Sequence, residues 1–438
     1  MNIKKIFYPR SEQSSFLKYK SFFPKINAST NTIDGKNVFY LRKRFGSPLY
    51  VVSKKALISK INWVKKTLAL IYPNSRLAFS VKTNNLAGVV DQMRKKEVMA
   101  EVVSMYEYLL AKKVGYNGKQ IIVNGPYKPA DLLDRAIRDS ALINIDNISE
   151  LAVVAKISEK LEIKSGIGLR IKPRIFQHSS RFGFETEGED INDALKLINS
   201  NNRLKLIGLH CHLGSNIFSQ NMYRRASETI CSLVHKIENT SISRIEYLDM
   251  GGGFPSAGGG GSVVSAALTY SGQYFKEIAK PILDHGLQHI KLIIEPGRAL
   301  IDESVILLTS IISSRIFKGR QTAISDASIS ILPLAQTRNQ RLEIIPAGKA
   351  SGSVPSTLPT TLFGSSCIET DWLAKTGCGR LETGDIGVLY NAGAYNISQA
   401  NQFINLRPAT ISITGNRTKL LRRKEMFADL YGLEKNSL

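Results

Sequence analysis

Short apolar, β-branched runs recur along the middle of the chain, between Arg76 and Gly297. The stretches between successive runs are long enough for a helix, and those at 86–99 and 130–140 have helical periodicity. A strand and a helix that alternate eight times predict a (β/α)8 barrel. The eight runs occupy residues 77–84, 100–104, 121–125, 142–146, 166–171, 206–212, 245–253 and 291–297.

The pattern changes after Gly297, where β-like runs follow one another without intervening helices. Such spacing predicts an all-β domain. These runs lie at 305–316, 321–324, 342–346, 386–390 and 409–414. The sequence therefore predicts an N-terminal extension over 1–36, a strand region over 37–48 that joins the β domain, a barrel over 49–300 and a C-terminal β domain over 301–438. The glycine-rich stretch at 257–262 is typical of a mobile loop.

Length and cysteine usage bound the class of protein. A chain of 438 residues is long enough for a barrel of roughly 250 residues and a second domain. The positive start at 1–7 is cut off by Tyr8-Pro9-Arg10 before an apolar stretch develops, and no later apolar run has the length of a membrane span. The four cysteines show no metal-type spacing. These features favour a cytoplasmic protein without a structural disulfide.

The net charge of +23 raises the possibility of a nucleic-acid binder. Lysine and arginine are, however, spread along the whole chain, and the densest cluster, at 419–424, contains no aromatic residue that could stack on a base. A basic, solvated surface is the preferred interpretation, and no nucleic-acid partner is expected.

Residues that could take part in catalysis or binding stand at the ends of several predicted strands, where a barrel places its active site. Lys82 ends the first run, and the three glycines at 251–253 end the seventh, where their backbone N–H groups could approach an anion. Glu295 lies at the end of the eighth run, and Arg298 directly follows it. Taken singly, Lys82 could be a solvated lysine and the last two a structural salt bridge. Together, an amine, an anion site and an acid are what pyridoxal phosphate requires.

The sixth run ends in two histidines, His210 and His212, whose i, i+2 spacing places them on one face of a strand. Such a pair would suit a metal, but no further ligand at plausible spacing completes the set, so no metal is expected. An imidazole packed against the cofactor ring, with Ser215 donating to its phosphate, is the preferred use.

Combined motifs carry a family resemblance that extends from about Tyr40 to Phe403. The chain resembles the fold-type III pyridoxal-phosphate decarboxylases, the group of diaminopimelate, ornithine and biosynthetic arginine decarboxylases, which pair an alanine-racemase-like barrel with a β domain. The matching segments are FSVKTN at 79–84, HLGS at 212–215, DMGGGFP at 249–255, EPGR at 295–298, GSSC at 364–367, GD at 384–385 and GAY at 393–395.

The resemblance implies that Lys82 forms an aldimine with pyridoxal phosphate, that His212 stacks on the ring and that Glu295 pairs with the pyridine nitrogen. Cys367 is implied to protonate the decarboxylated carbon in the site of a partner subunit, so a homodimer with shared active sites is expected. Without the resemblance, Cys367 and Tyr395 would be taken as core residues. The other implied cofactor and substrate contacts are Glu101, Arg170, Ser215, Gly252, Gly253, Pro296, Gly297, Arg298, Glu369, Asp371 and Tyr395.

Departures from the family pattern affect the substrate. Glu101 stands where relatives have an aspartate, and Ile368 replaces the acidic residue that commonly follows the cysteine. Leu332 stands where diaminopimelate decarboxylases carry an arginine that binds the far carboxylate, while Arg170 and Arg181 offer other anion contacts. The resemblance thus implies α-decarboxylation of an amino acid, either diaminopimelate or a modified diamino acid.

Three alternatives remain open. Glu295 opposes a racemase of the same fold, because alanine racemases place a basic group at the ring nitrogen. The β domain and Cys367 oppose a non-catalytic pyridoxal-phosphate binder, since known proteins of that kind are single barrels. Intact Lys82, Glu295 and Arg298 oppose a nucleic-acid binder with a decayed enzyme fold.

Overall fold

The computed structural model describes residues 22–173, 175, 180–240, 243–257, 272–348 and 357–434. All but the first residue of the predicted mobile loop at 257–262 lie outside this part of the chain. The described residues form two compact units. The barrel unit contains those from Ile61 to Pro255 and from Gly272 to Ala299, and the β unit contains the others.

The N-terminal part of the β unit begins with three short antiparallel strands, β1 (Ile26–Asn27), β2 (Thr32–Ile33) and β3 (Lys36–Asn37). Helix α1 (Val38–Phe45) follows directly. The strand β4 (Leu49–Ser53) and the helix α2 (Lys54–Ile71) come next, and the chain passes into the barrel unit within α2.

The predicted strand over 37–48 is therefore wrong, because Val38–Phe45 is helical. The apolar run at 38–41 suits either element when read alone. In the structure, Asn37 caps the helix by accepting a hydrogen bond from the Tyr40 N–H at 3.0 Å, and Val38 and Leu41 share the buried face. Three basic residues in the last turn also suit the negative end of the helix dipole.

Eight parallel strands close into a barrel, as the sequence predicted. The strand order is sequential, and the pairing of the fifth strand with the fourth closes the ring. The barrel strands are β5 (Ser75–Ser80), β6 (Met99–Val102), β7 (Ile121–Val123), β8 (Leu142–Ile145), β9 (Ser165–Lys172), β11 (Leu204–His210), β12 (Tyr247–Asp249) and β13 (Lys291–Ile294). A short strand, β10 (Phe184–Glu185), adds to β9.

Amphipathic helices connect the barrel strands. In α5 (Ala130–Arg138), for example, Leu132, Leu133, Ala136 and Ile137 are buried while acidic and basic residues cover the other face. The other helices of the unit are α3 (Ala87–Lys95), α4 (Met105–Lys113), α6 (Ile148–Leu161), α7 (Glu189–Ser200), α8 (Gln220–Thr240), α9 (Gln273–Asp284) and the beginning of α10 (Arg298–Ile301). Within the described residues, none of the helices combines the length and apolar character that a membrane crossing needs.

The β unit is built on one large sheet whose central strand is β14 (Val305–Phe317). The remaining strands are β15 (Arg320–Ser325), β16 (Leu342–Ile345), β17 (Leu358–Phe363), β18 (Trp372–Cys378), β19 (Ile386–Leu389), β20 (Ala409–Thr414) and β21 (Arg417–Arg422). Two short helices, α11 (Asn396–Gln399) and α12 (Phe427–Tyr431), complete the unit. All five predicted β runs are strands, whereas β17, β18 and β21 were missed.

Strand β4 belongs to this sheet rather than to the barrel. It pairs antiparallel with β14 and parallel with β20, and every residue in it is buried. The predicted barrel boundary at residue 49 is therefore wrong. Fully buried apolar strands occur in the core of a sheet domain as well as in a barrel, so the apolar pattern alone could not assign this strand to one domain.

Candidate active site at the carboxyl ends of the barrel strands

Lys82 lies in a 3-10 turn, Val81–Thr83, immediately after the first barrel strand. Its Nζ donates to the Oε2 atom of Glu101 on the neighbouring strand. The Lys82 side chain is 35% exposed and that of Glu101 only 2% exposed, so the amine stands at the mouth of a buried acid. A lysine in this position has an anionic partner and remains reachable from outside the barrel.

Asn124 connects this pair to a second buried acid. Its Nδ2 donates to Glu295 Oε1 at 2.8 Å and to Glu101 Oε1 at 3.3 Å. Asn124 follows the third strand and Glu295 the eighth, so one amide joins two acids from distant parts of the sequence. The predicted residues Lys82 and Glu295 therefore belong to one network. Sequence reasoning missed Asn124, although a polar residue at the end of an apolar strand was a usable signal.

Glu295 lies in a buried polar cluster with His210 and Asp249. One imidazole nitrogen or carboxylate oxygen of each residue, an atom that could ligate a metal ion, lies within 4.8 Å of the others. Burial, together with the adjacent Glu295 carboxylate, raises the pKa of Asp249 far above its usual range. Burial also acts to raise the pKa of Glu295, but His210, 3.6 Å away, and Asp249 outweigh it and lower that pKa to about 2. The two shifts favour the proton on Asp249 and the negative charge on Glu295.

His212 follows the sixth strand, and its Nδ1 accepts a hydrogen bond from the Gly252 N–H at 3.2 Å. That bond places the ring proton on Nε2. Burial, reinforced by the positive charge of Lys82, lowers the pKa of His212 to about 3. His212 is therefore a neutral imidazole held in a fixed orientation, which suits contact with a flat ring.

Glycines at 251–253 and 297 allow backbone segments to approach closely, and we call them the glycine cradle. Gly253 has φ +92°, and a Cβ there would lie 2.3 Å from the carbonyl oxygen of Gly214. A Cβ on Gly297 would lie 2.0 Å from Thr83 Oγ1, next to Lys82. The loop that carries the exposed Ser215 is tied to the cradle because the Ile217 N–H donates to the Gly253 carbonyl at 2.9 Å.

The remaining predicted barrel residues lie at the same strand ends. Pro296 is buried, and Arg298 is partly buried at the start of α10, directly after the cradle. Arg170, on the fifth strand, pairs with Asp146 at 3.1 Å and lies over the Phe182 ring at 4.7 Å. Arg170 therefore has a carboxylate partner of its own, and an anion contact for it stays a prediction.

The predicted residues of the β unit have different environments. Cys367 and Glu369 are exposed and Tyr395 is partly buried, so the core interpretation of Cys367 is wrong. Asp371 is 1% exposed, and its two oxygens accept the N–H groups of Ile329 and Ser366, each at 2.8 Å. Its carboxylate holds the loop that presents Cys367, and a substrate contact for it stays a prediction.

The barrel site fits pyridoxal phosphate by its own chemistry. An accessible amine lies beside a buried acid, a carboxylate with a lowered pKa lies deeper, and closely packed glycine backbone lies at the same strand ends. In the described part of the chain, His210 Nδ1 is buried without a hydrogen-bond partner, and His210 Nε2 lies 3.6 Å from Glu295, just beyond hydrogen-bond distance. A group with polar edges inserted at this point would have partners available.

The fold and the site together define a barrel enzyme with an amine-centred cofactor site. The family model described as pyridoxal-dependent decarboxylase, pyridoxal binding domain, matches residues 55–302. The chain belongs to this family and is a pyridoxal-phosphate-dependent amino-acid decarboxylase. The predictions of the cofactor, the reaction class and the barrel with its β domain are confirmed.

Named relatives agree with this assignment. The chain is similar to the diaminopimelate decarboxylase of Aquifex aeolicus, 26% identical over 90% of this chain and 93% of the relative. It is 25% identical to that of Archaeoglobus fulgidus over 93% of this chain and 97% of the relative. Its fold matches the diaminopimelate decarboxylase of M. jannaschii in complex with L-lysine, with TM-score 0.82, 22% identity and coverage of 92% and 95%. The lysine decarboxylase of Selenomonas ruminantium matches with TM-score 0.72, 23% identity and coverage of 92% and 98%.

Proposed function

We propose that this decarboxylase acts on a diamino acid of the diaminopimelate type, and that the reaction takes place at Lys82. The observation that carries the proposal is the continuous contact from Lys82 through Glu101 and Asn124 to Glu295. The similarity to two diaminopimelate decarboxylases over nine-tenths of the chain supports the substrate type.

Each residue of the site has a proposed part. When bound, pyridoxal phosphate supplies an electron-accepting ring that stabilises negative charge at the α-carbon of the amino acid. Lys82 would hold the cofactor covalently, with Glu101 as the partner of its amine. The ionised Glu295 would face the pyridine nitrogen and keep it protonated. The neutral imidazole of His212 would pack against the ring.

The phosphate would be held at the glycine cradle by the backbone N–H groups of Gly253 and Gly297, together with Ser215 and Arg298, because the N–H groups of Gly251 and Gly252 already donate to Asp249 and His212. Backbone N–H groups and a guanidinium are suited to three anionic oxygens. These groups would keep the ring of the bound cofactor next to Glu295. Lys82 would then act in product release.

Cys367 would deliver a proton to the α-carbon in the site of a second subunit. Its thiol is exposed, and the loop around it is ordered by hydrogen bonds to Asp371. An exposed, well-held thiol that has no function in its own surroundings suits a contribution to a neighbouring chain. We accordingly propose a homodimer with shared active sites, working in the cytoplasm, where its four cysteines stay free.

Leu332 bears on the far end of the substrate. Its side chain is fully buried, so this position offers no charge to a distal carboxylate. Our proposal therefore includes a modified diamino acid beside diaminopimelate itself.

The test is release of carbon dioxide from a panel of amino acids by the purified protein loaded with pyridoxal phosphate. The panel contains meso-diaminopimelate, L-lysine, L-ornithine, L-arginine and N-acylated diamino acids, with Lys82→Ala as the control. Release from a diamino acid by the wild type alone supports the proposal. Release from none of the diamino acids, free or N-acylated, would contradict it.

The shared site has its own test, in which inactive Lys82→Ala and Cys367→Ala proteins are mixed, unfolded and refolded. Random pairing in a twofold dimer should restore on the order of a quarter of the wild-type activity, because each mixed dimer contains one intact site. Cys378→Ala, which removes the other cysteine of the β unit, should be active without mixing. Failure of the mixture to recover activity would refute a shared site.

A further inference from the structure

A chain of buried polar side chains runs through the barrel beneath the site. The Tyr247 hydroxyl donates to Asn144 Oδ1 at 2.8 Å, and Asn144 Nδ2 donates to Asn124 Oδ1 at 2.9 Å. Asn124 Nδ2 then donates to Glu295 and Glu101. Tyr247, Asn144 and Asn124 are 3%, 1% and 5% exposed, so water does not substitute for these partners.

The hydrogen bonds of this chain have a fixed direction. If the Asn124 amide were reversed, its oxygen would face the carboxylates of Glu101 and Glu295, and its NH2 would face the NH2 of Asn144. The Asn144 amide is fixed in turn, because its NH2 donates to the Asn124 oxygen and, at 3.5 Å, to Asp249 Oδ2. The carboxylates therefore set the direction of both amides, and the Tyr247 hydroxyl donates to the amide oxygen left at the end of the chain.

The barrel backbone keeps the tyrosine ring in place. A Cβ on Gly208 would lie 2.1 Å from the ring of Tyr247, and one on Gly168 would lie 2.3 Å from its hydroxyl oxygen. Two adjacent strands thus use glycine where the ring passes. The ring cannot turn aside, so its hydroxyl stays directed at Asn144.

We propose that Asn124 is a positioning residue that sets the separation between the acid beside Lys82 and the acid proposed to face the pyridine nitrogen, and that Asn144, backed by the Tyr247 hydroxyl, holds Asn124 in place. The inference rests on the proposed function, since it concerns the roles of Lys82 and Glu295. The NH2 group of Asn124 donates one hydrogen bond to each acid, so both carboxylates are held by the same nitrogen of a fixed side chain.

Loss of this support should affect the bound cofactor more than it affects folding. Without the amide, Glu101 and Glu295 repel each other and each loses a charge-assisted hydrogen bond. Glu101, beside the Lys82 amine, and Glu295, proposed to face the ring nitrogen, would then no longer stay at a fixed distance from each other.

The experiment compares Tyr247→Phe with Tyr116→Phe. Phenylalanine keeps the ring in its glycine slot and removes only the hydroxyl. Tyr116 is the matched control in the same unit, because it is also 3% exposed and its hydroxyl donates to the Val98 carbonyl at 2.8 Å, away from the acids. Asn124→Leu is the stronger variant. The readouts are the dissociation constant for pyridoxal phosphate, the visible circular dichroism of the bound cofactor and the thermal midpoint.

We expect Tyr247→Phe to bind pyridoxal phosphate about threefold more weakly and Asn124→Leu at least about tenfold more weakly, both with a reduced visible dichroic band. Tyr247→Phe and Tyr116→Phe should lower the thermal midpoint by similar amounts, but Tyr116→Phe should change neither the cofactor affinity nor the dichroic band. Should Asn124→Leu not fold, Tyr247→Phe decides the question.

Equal cofactor affinity and equal dichroism in the two tyrosine variants would overturn the inference while leaving the proposed function intact. A wild-type protein that binds no pyridoxal phosphate would overturn both.

Discussion

Lys128→Met tests a buried ion pair at the carboxyl ends of the third and fourth barrel strands. The Lys128 side chain is completely buried, and its Nζ contacts Glu150 Oε1 at 2.8 Å and Oε2 at 2.9 Å. The amine also donates to the Gly125 carbonyl at 2.8 Å. Glu150 accepts a further hydrogen bond from the Asp146 N–H at 2.8 Å. Methionine keeps the volume of the side chain and removes the charge.

Removing one partner leaves the other charge buried and unpaired, which costs about 3–5 kcal/mol. The double variant Lys128→Met, Glu150→Leu should cost less than the single one, because no unpaired charge remains. Burial already raises the pKa of Glu150, and loss of Lys128 removes the main influence that lowers it. The cost of Lys128→Met should therefore shrink as the pH falls and Glu150 becomes protonated.

The assay is equilibrium unfolding in urea, followed by far-ultraviolet circular dichroism at two pH values. The control is Lys196→Met, which breaks a pair at a similar distance, 2.9 Å from Asp193, but with side chains 77% and 58% exposed. That variant should show no measurable change. A Lys128→Met protein as stable as the control, or a double variant as unstable as the single one, would refute the reasoning.

Three further predictions follow from other parts of the chain. Gly297→Ala places a methyl group against Thr83 and should weaken binding of pyridoxal phosphate at least about tenfold, whereas Gly379→Ala, which meets nothing within 4 Å, should not; a dialysis titration compares them. Burial raises the pKa of Glu107 from 4.5 to about 7, so the folded state keeps this proton at pH values where the unfolded state has lost it. The free energy of unfolding of the wild type should therefore fall by up to about 3 kcal/mol between pH 5 and 8. Urea unfolding of Glu107→Gln should not show this fall. Asn37→Ala removes the cap of α1 and should cost about 1 kcal/mol in the same measurement.

Each of these predictions has a result that would contradict it. Unchanged cofactor affinity in Gly297→Ala would mean that the cradle does not position the phosphate. A Glu107→Gln protein with the same pH dependence as the wild type would mean that Glu107 titrates normally. An Asn37→Ala protein of wild-type stability would show that α1 is held by packing alone.

The barrel was predictable because its strands are buried on both faces and read as continuous apolar runs. Each run ended in polar residues, so Lys82 and Glu295 could be placed at one rim before the fold was seen. The β unit was harder. Strand β21 is a charged edge strand, and β17 contains a proline, so neither resembles a buried strand.

The network under the site could not have been derived from the sequence. Asn144 lies 20 residues from Asn124 and 103 from Tyr247, and the three meet only because β7 and β8 are neighbouring strands and β12 lies across the barrel interior from them. Their contact depends on register and tilt, which hydrophobic periodicity does not encode. The same limit applies to Asp249, whose motif was noted without a role.

The central claim is that Lys82 binds pyridoxal phosphate, and reductive trapping tests it most directly. The purified protein, loaded with the cofactor, is treated with borohydride, digested and examined by mass spectrometry for the lysine that carries the pyridoxyl group. The account predicts the modification on the peptide that contains Lys82. Modification of another lysine, or an unmodified Lys82 in a protein that releases carbon dioxide, would contradict it.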